Sequence, residues 1–203
     1  MNQTHTAWDP SGAASGHSGA RHESGVDQNT GTDPDSSTAL RPADPAAAAA
    51  WDIAATVCDP EIPVLTIEDL GVLRAVELLD GNQVRATITP TYSGCPAMDA
   101  IREDVTAALM AAGYAGVRVD LVLAPAWTTD WMSEAGKAKL NAYGIAPPTG
   151  RAAAGPVRLG LSVKCPQCSS LNTREMTRFG STSCKALYVC GDCREPFDYF
   201  KVL

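Results

Sequence analysis

Three observations predict an α+β domain followed by a C-terminal zinc ribbon. Between residues 45 and 146 the spacing of apolar side chains switches between the helical and the strand period. The order is α-β-β-α-β-α, and a small sheet with helices on one face buries such a set compactly. Near the C-terminus, Cys165-Pro166-Gln167-Cys168 and Cys190-Gly191-Asp192-Cys193 form two CxxC pairs separated by 21 residues, the ligand spacing of a four-cysteine ribbon. The third observation is a lack of core: besides Met1, residues 1–44 hold only Trp8, Val26 and Leu40 as large apolar side chains. Ordering a backbone residue costs roughly 1–2 kcal/mol, and this segment has nothing to offset it, so it reads as a disordered tail.

The α+β stretch opens at Asp44-Pro45, an N-cap aspartate before a proline at the first helical position. The alanine-rich run behind it predicts a helix over 46–58 that stops before Pro60. Cys58 falls at its end and is expected to pack in the core. After the loop Asp59-Pro60-Glu61-Ile62-Pro63, Val72, Val76 and Leu78 alternate with Leu73, Ala75 and Glu77. Asp80-Gly81-Asn82 then turns the chain into Val84, Ala86 and Ile88, a β-hairpin pattern. Pro96 opens a second helix, with Met98, Ile101, Val105, Leu109 and Ala112 at spacings of three and four and Gly113 at its end. Val117, Val119, Leu121 and Leu123 predict a third strand, and residues 129–143 a third helix with Gly144 beyond it. The Pro-, Gly- and Ala-rich run 147–160 reads as a linker. Residues 161–203 are then only 43 in number, and a unit that small needs a staple. Its strands are expected over 173–179 and 186–189, with Phe197, Tyr199 and Phe200 packing on them.

Charge and motifs exclude several functions. Against 16 Lys and Arg stand 23 Asp and Glu, a net charge of -7, so the chain has no general attraction for phosphate backbones. Residues 163–203 carry six basic and four acidic side chains, too balanced for a phosphate-tracking stripe. No nucleic-acid partner is expected. The longest apolar run, residues 121–127, contains Pro125 and falls far short of the ~20 residues that span a bilayer. With no basic and apolar leader at the N-terminus, a cytoplasmic location is expected. Phosphate-cradling, dinucleotide and serine-hydrolase motifs are absent. His5, His17 and His22 all lie in the tail, so the folded part has no histidine base and no carboxylate and histidine set for a di-iron site.

The seven cysteines carry the chemistry. An odd count with paired CxxC motifs suits a reducing compartment and metal binding. Cys165, Cys168, Cys190 and Cys193 are assigned as metal ligands; four thiolates select Zn or, less often, Fe. Such a closed site leaves no open coordination position, so its role is structural. Cys95, in Thr91-Tyr92-Ser93-Gly94-Cys95-Pro96, is expected to cap the second helix, where the dipole would depress its pKa and suit it to nucleophilic attack or a soft metal. Cys184 lies in the polar segment Phe179-Gly180-Ser181-Thr182-Ser183-Cys184-Lys185. It is read either as a free surface thiol or as an additional ligand whose thiolate Lys185 favours. Asp59, Glu61, Glu68 and Asp69 read as a solvated acidic rim. Trp127, Trp131 and Tyr143 are either core or a protein-binding patch.

Asp59-Pro60-Glu61-Ile62-Pro63, Asp69-Leu70-Gly71, Pro90-Thr91-Tyr92-Ser93-Gly94-Cys95-Pro96 and Pro125-Ala126-Trp127-Thr128-Thr129-Asp130-Trp131-Met132 together resemble the MIP18 (DUF59) family of iron-sulfur assembly proteins. With the ribbon behind them, including Glu195-Pro196-Phe197-Asp198-Tyr199-Phe200, residues 46–203 resemble the D subunits of bacterial phenylacetyl-CoA epoxidase systems. The resemblance implies an accessory role in aerobic phenylacetate degradation, assisting assembly of iron or iron-sulfur centres. The oxygenase and reductase subunits are its implied partners, and a homodimer is a further arrangement. Cys95 becomes the cluster-handling thiol, with Asp59 and Glu61 beside it, holding a transient Fe-S cluster or Fe while the ribbon keeps a structural Zn. The alternative is an architectural, non-catalytic subunit of the oxygenase complex. One departure stands out: many ribbons place Gly directly after each CxxC, where this chain has Ser169 and Arg194.

Overall fold

The computed structural model describes residues 40–149 and 162–202; the expected tail up to 39 and the linker over 150–160 lie outside them. Helix α1 spans Pro45–Ala54. Its cap is the expected one, Asp44 accepting the N–H groups of Ala46 at 3.1 Å and Ala47 at 2.8 Å. The helix ends earlier than the alanine run suggests. Thr56 turns both its N–H and its hydroxyl onto the Ile53 carbonyl, at 3.2 and 2.7 Å, a local bond that competes with helix continuation. The chain then pairs with the next loop, Ile67 N–H donating to Val57 O at 2.8 Å. Cys58, off the helix and opposite Thr66 in an isolated bridge, is exposed, which corrects its expected place in the core.

The hairpin forms as β1 (Leu73–Leu79) and β2 (Gln83–Ile88), with Val76 opposite Ala86 and Leu78 opposite Val84. An irregularity in register between Leu73 and Ala75 shifts the alternation, so that Leu73 and Val76, three apart, are both buried. Val84, Ala86 and Ile88 are fully buried. Helix α2 (Ala97–Ala111) then carries the chain back to β3 (Gly116–Leu121), which runs parallel to β2. Ile101, Val105 and Leu109 of α2 and Trp51 of α1 lie in the same core.

The expected third helix is broken in two: a 3-10 turn at Thr129–Trp131, then α3 over Glu134–Tyr143. Ser133 starts the second piece. Its hydroxyl accepts the Gly136 N–H at 2.8 Å and donates to Asp69 at 3.1 Å. Asp69 is also reached by Lys139 Nζ at 2.6 Å and by the N–H and hydroxyl of Thr66, both at 3.1 Å. Asp69 is therefore a buried joint and not part of a solvated rim. Glu68 is likewise engaged, accepting the Trp51 indole N–H at 2.9 Å. Two residues on from Asp69, Gly71 has a φ of 67° and lies so close to Trp131 that a Cβ would come within 2.5 Å of its carbonyl oxygen, so only glycine fits.

A second sheet has the order β4-β7-β6-β5. Strands β5 (Thr173–Thr177), β6 (Lys185–Cys190) and β7 (Pro196–Phe200) are antiparallel neighbours, and β4 (Ile145–Ala146) joins β7 in parallel. The strand that follows α3 thus belongs to the ribbon's sheet. Phe200 and Cys184 in turn are buried in the core of the α+β part, where Phe200 packs against Trp127 at 6.2 Å between ring centroids. Trp127 is core, its indole N–H on Leu70 O at 2.9 Å; Trp131 is stacked under Arg74, and Tyr143 is exposed. Among the described residues no helix is long and apolar enough to cross a membrane.

Candidate metal centre and thiol site

Each CxxC pair sits at a tight turn, and the residues that replace glycine there explain themselves. Ser169 has φ 63° and Arg194 φ 65°: both positions need the left-handed conformation that glycine adopts most cheaply, and here ordinary side chains adopt it. Within each knuckle the backbone closes on itself, Ser169 N–H on Cys165 O at 2.9 Å and Cys190 N–H on Glu195 O at 3.1 Å. The knuckles are also latched to each other. Asn172 donates from its side chain to Asp192 at 2.8 Å, its carbonyl oxygen accepts the Gly191 N–H at 2.7 Å, and Ser170 donates to the same aspartate. A Cβ at Gly191 would meet the Asn172 side chain at 2.5 Å, so a larger residue there would displace the side chain that latches onto Asp192.

These constraints bring the sulfurs of Cys165, Cys168, Cys190 and Cys193 within 4.8 Å of one another. Cys165 and Cys193 are 3.7 Å apart, and Cys168 and Cys190 3.5 Å. Four sulfurs at ~2.3 Å from a tetrahedral zinc stand ~3.8 Å from each other, so the donor set fits that ion. The electrostatics agree. The N–H of Cys193, with that of Asp192, holds the Cys190 thiol down at about 6. Cys193 also receives an N–H, from Glu195, yet burial and the neighbouring sulfurs push it up to about 12. One thiolate forms readily and the next is opposed by crowding, which a cation at the centre relieves.

The second centre lies where the ribbon meets the α+β part. Helix α2 begins at Ala97 with Pro96 in the helical region, and the Cys95 sulfur accepts the Ala97 N–H. The N-cap expected of Cys95 is instead Pro96, without a side-chain cap hydrogen bond, and the expected lowering of the thiol pKa is absent as well. Burial pushes the Cys95 thiol up, and the charges of Glu61 and Asp59 add to it, outweighing the Ala97 N–H and a hydrogen bond from Tyr92. Asp59 is buried and accepts the N–H groups of Glu61 at 2.7 Å and Ile62 at 2.9 Å; its carboxyl is nevertheless raised by burial. Glu61 is raised by burial and by Asp59. These two carboxylates share a site, which corrects their reading as a rim.

Cys184 belongs to this centre and not to the surface: it is 5% exposed, which removes the reading of a free surface thiol. Thr182 Oγ1 lies 3.0 Å from its sulfur. Burial raises the Cys184 thiol, and Lys185, which favours the thiolate as expected, does not overcome it. Lys185 is itself buried and faces Asp198 at 3.7 Å. A cleft of about 450 Å³ opens beside it, lined by Glu61, Lys185, Asp198 and Phe197 among others. The approach of Cys184 to Asp59 and Glu61 spans more than 120 residues of sequence, which is why local reading misses it. The one local sign is the run of hydroxyls at 181–183.

Comparison with known proteins divides the chain at the same place. Residues 47–122 match the family model described as iron-sulfur cluster assembly protein, and residues 152–201 match the PaaD zinc beta ribbon domain. The chain is 47% identical over 153 residues to the D subunit of the 1,2-phenylacetyl-CoA epoxidase of Escherichia coli (strain K12), covering 75% of this chain and 91% of that one. It is 44% identical over 80 residues to an Fe-S protein maturation auxiliary factor of Porphyromonas gingivalis (strain ATCC BAA-308 / W83), covering 39% and 75%. Among solved structures, a domain of unknown function from Bacillus anthracis is similar at 28% identity and a TM-score of 0.43, over 46% of this chain and 90% of that one.

Proposed function

The chain belongs to the family of 1,2-phenylacetyl-CoA epoxidase D subunits, and from that premise we propose that it is the accessory maturation component of such a system, assisting assembly of an iron or iron-sulfur centre through Cys95. The observation that carries this reading is the setting of Cys95. A half-buried thiol at the start of α2 takes one hydrogen bond from the backbone and one from Tyr92, with Asp59 and Glu61 beside it. This lies inside the segment that matches iron-sulfur assembly proteins. A soft ligand flanked by carboxylates suits a thiophilic cation. The ribbon's four sulfurs hold zinc for structure, and the oxygenase or reductase subunits are the partners it serves.

The test is metal and acid-labile sulfide content of the native chain and of Cys95→Ser, both purified without oxygen, together with complementation of growth on phenylacetate. The expected result is about one zinc per chain in both, iron and sulfide in the native protein alone, and no growth with the variant. Zinc alone in both proteins, with normal growth on Cys95→Ser, would leave an architectural subunit that contributes only interface.

A further inference from the structure

We propose that the free edge of the three-stranded sheet is a homodimer interface, in which β3 pairs antiparallel with β3 of a second copy about a two-fold axis at Val119. The inference does not depend on the reading of Cys95 given above and goes beyond it, to the assembly that carries that thiol.

The sheet has the order β1-β2-β3, so among the described residues no strand covers the far side of β3. An open edge is a template for another strand unless something blunts it. In β2, Val84, Ala86 and Ile88 are fully buried, whereas no residue of β3 is buried and Leu121 is 41% exposed. Val122 N–H donates to Ile88 O at 2.9 Å. By the two-residue period of a strand, Gly116, Arg118 and Asp120 then turn their backbone groups to β2, and Val117, Val119 and Leu121 turn theirs to the open edge.

The side chains choose the partner. Arg118 and Asp120 lie on the outer face, in a charge ladder that begins at Glu77: Arg85 meets Glu77 at 3.4 Å and Asp120 at 3.6 Å, and Arg118 meets Asp120 at 2.6 Å. Val117 and Val119 lie on the other face, packed against the core. Antiparallel pairing centred on Arg118 or on Asp120 would set like charges directly opposite each other, which is destabilising. Centred on Val119, it sets Arg118 opposite the partner's Asp120 and Val117 opposite the partner's Leu121. The same register pairs the outward backbone groups of Val117, Val119 and Leu121 with each other, and it puts the charged side chains at the closer, non-hydrogen-bonded positions. Charge of one sign would repel a second copy, but opposite signs two residues apart are self-complementary under a two-fold axis.

The arrangement fixes where the thiols go. Strands β2 and β3 finish together, at Ile88 and Val122, and the loop to Cys95 leaves from that end. An antiparallel pair sends the two ends in opposite directions, so each copy keeps its own Cys95 site and no centre is shared between the two.

Sedimentation equilibrium of the full, zinc-loaded chain over a concentration series tests the interface, with Arg118→Asp, Asp120→Arg and the doubly exchanged chain beside it. Circular dichroism and retained zinc show that the variants fold. Each single reversal brings like charges face to face twice in one dimer and is expected to weaken association about tenfold, and the double exchange to restore it. An equimolar mixture of the two single variants is expected to form a heterodimer, because one strand then offers two acids and the other two bases. Hydrogen exchange on the native chain needs no variant: raising its concentration should slow the amides of Val117, Val119 and Leu121 and leave those of Arg118 and Asp120 as they are. The proposal would be overturned by a native chain that stays monomeric at every concentration, or by single reversals that associate as well as the native chain. Slowing of the edge amides only when an oxygenase or reductase subunit is added would overturn it too, and would give the edge to that partner. None of these results touches the role of Cys95.

Discussion

The two parts of the molecule depend on cysteine to different degrees. The α+β part is closed by a continuous apolar core in which Trp51, Leu65, Ile88 and Leu109 are all almost completely hidden. The ribbon's own core consists of seven buried side chains, two of them ligand cysteines, and every residue of its outer strand β5 after Thr173 is exposed. One part is held by area removed from water, and the other needs its metal to converge the strands and neutralise crowded thiols. The comparison is not one of independence. Phe200 and Cys184, both from the ribbon, complete the apolar core of the neighbour, and Ile145–Ala146 extends the ribbon's sheet. The weaker part thus borrows stability through a seam, and that seam is where Cys95 and Cys184 lie.

The largest effect should come from Cys190→Ser. Losing a ligand removes the ion that stabilises the fold of the knuckles, so the variant should lose its zinc and become cleavable by protease throughout 162–202, with 45–146 cut more slowly than the ribbon but less resistant than in the native chain, because Phe200 and Cys184 leave its core. Zinc analysis with limited proteolysis and mass spectrometry reads both outcomes. An unchanged protease map without metal would mean that the ribbon is held by its seam alone.

Legibility in the sequence follows the same divide. Local signals suffice wherever a local pattern causes the structure: the Asp44 cap, the Asp80-Gly81-Asn82 turn, the three-four spacing of α2 and the paired CxxC motifs all appear where the sequence places them. What stays hidden depends on partners far along the chain. Helix α3 breaks at Ser133 because Asp69, 64 residues earlier, takes its hydroxyl. Cys95 has a raised and not a depressed pKa because burial and two carboxylates from another loop outweigh one helix N-terminus. Cys184 reads as a surface residue because its neighbours are polar, yet those hydroxyls face the seam: Ser183 toward Tyr92 and Thr182 toward the sulfur itself.

An intermediate effect is expected from Phe200→Ala. The ring is 1% exposed and packs against Trp127, and emptying such a site costs roughly 3–5 kcal/mol. Because the cavity lies in the neighbour's core, the loss should appear in both parts. Denaturation followed by tryptophan fluorescence and by zinc release should shift together to lower denaturant. If zinc release alone moves, the seam transmits nothing and the two parts fold separately.

The smallest effect sharpens the comparison from the α+β side alone. Burial would by itself raise the Asp69 carboxyl, but hydrogen bonds from Lys139 and Thr66 more than offset it and hold the group below its ordinary value. An unfolded aspartate titrates near ~3.9. A group whose folded pKa is the lower of the two contributes stability that is present above the unfolded value and disappears as pH falls through the folded one. Asp69→Asn keeps an acceptor for Thr66 and Ser133 but gives up the charge that meets Lys139, a partner that is half exposed. The expected loss at neutral pH is therefore modest, roughly 1–2 kcal/mol. It should begin to shrink below pH ~4, where the unfolded carboxylate takes up its proton, and vanish as pH falls through the lower folded value. Zinc content should be unchanged throughout, because Asp69 is joined to α3 and not to the knuckles. Thermal melts of both proteins from about pH 3 to 7 measure the difference: a gap that stays constant with pH would assign the role of Asp69 to its shape, and a gap that closes in acid would assign it to its charge.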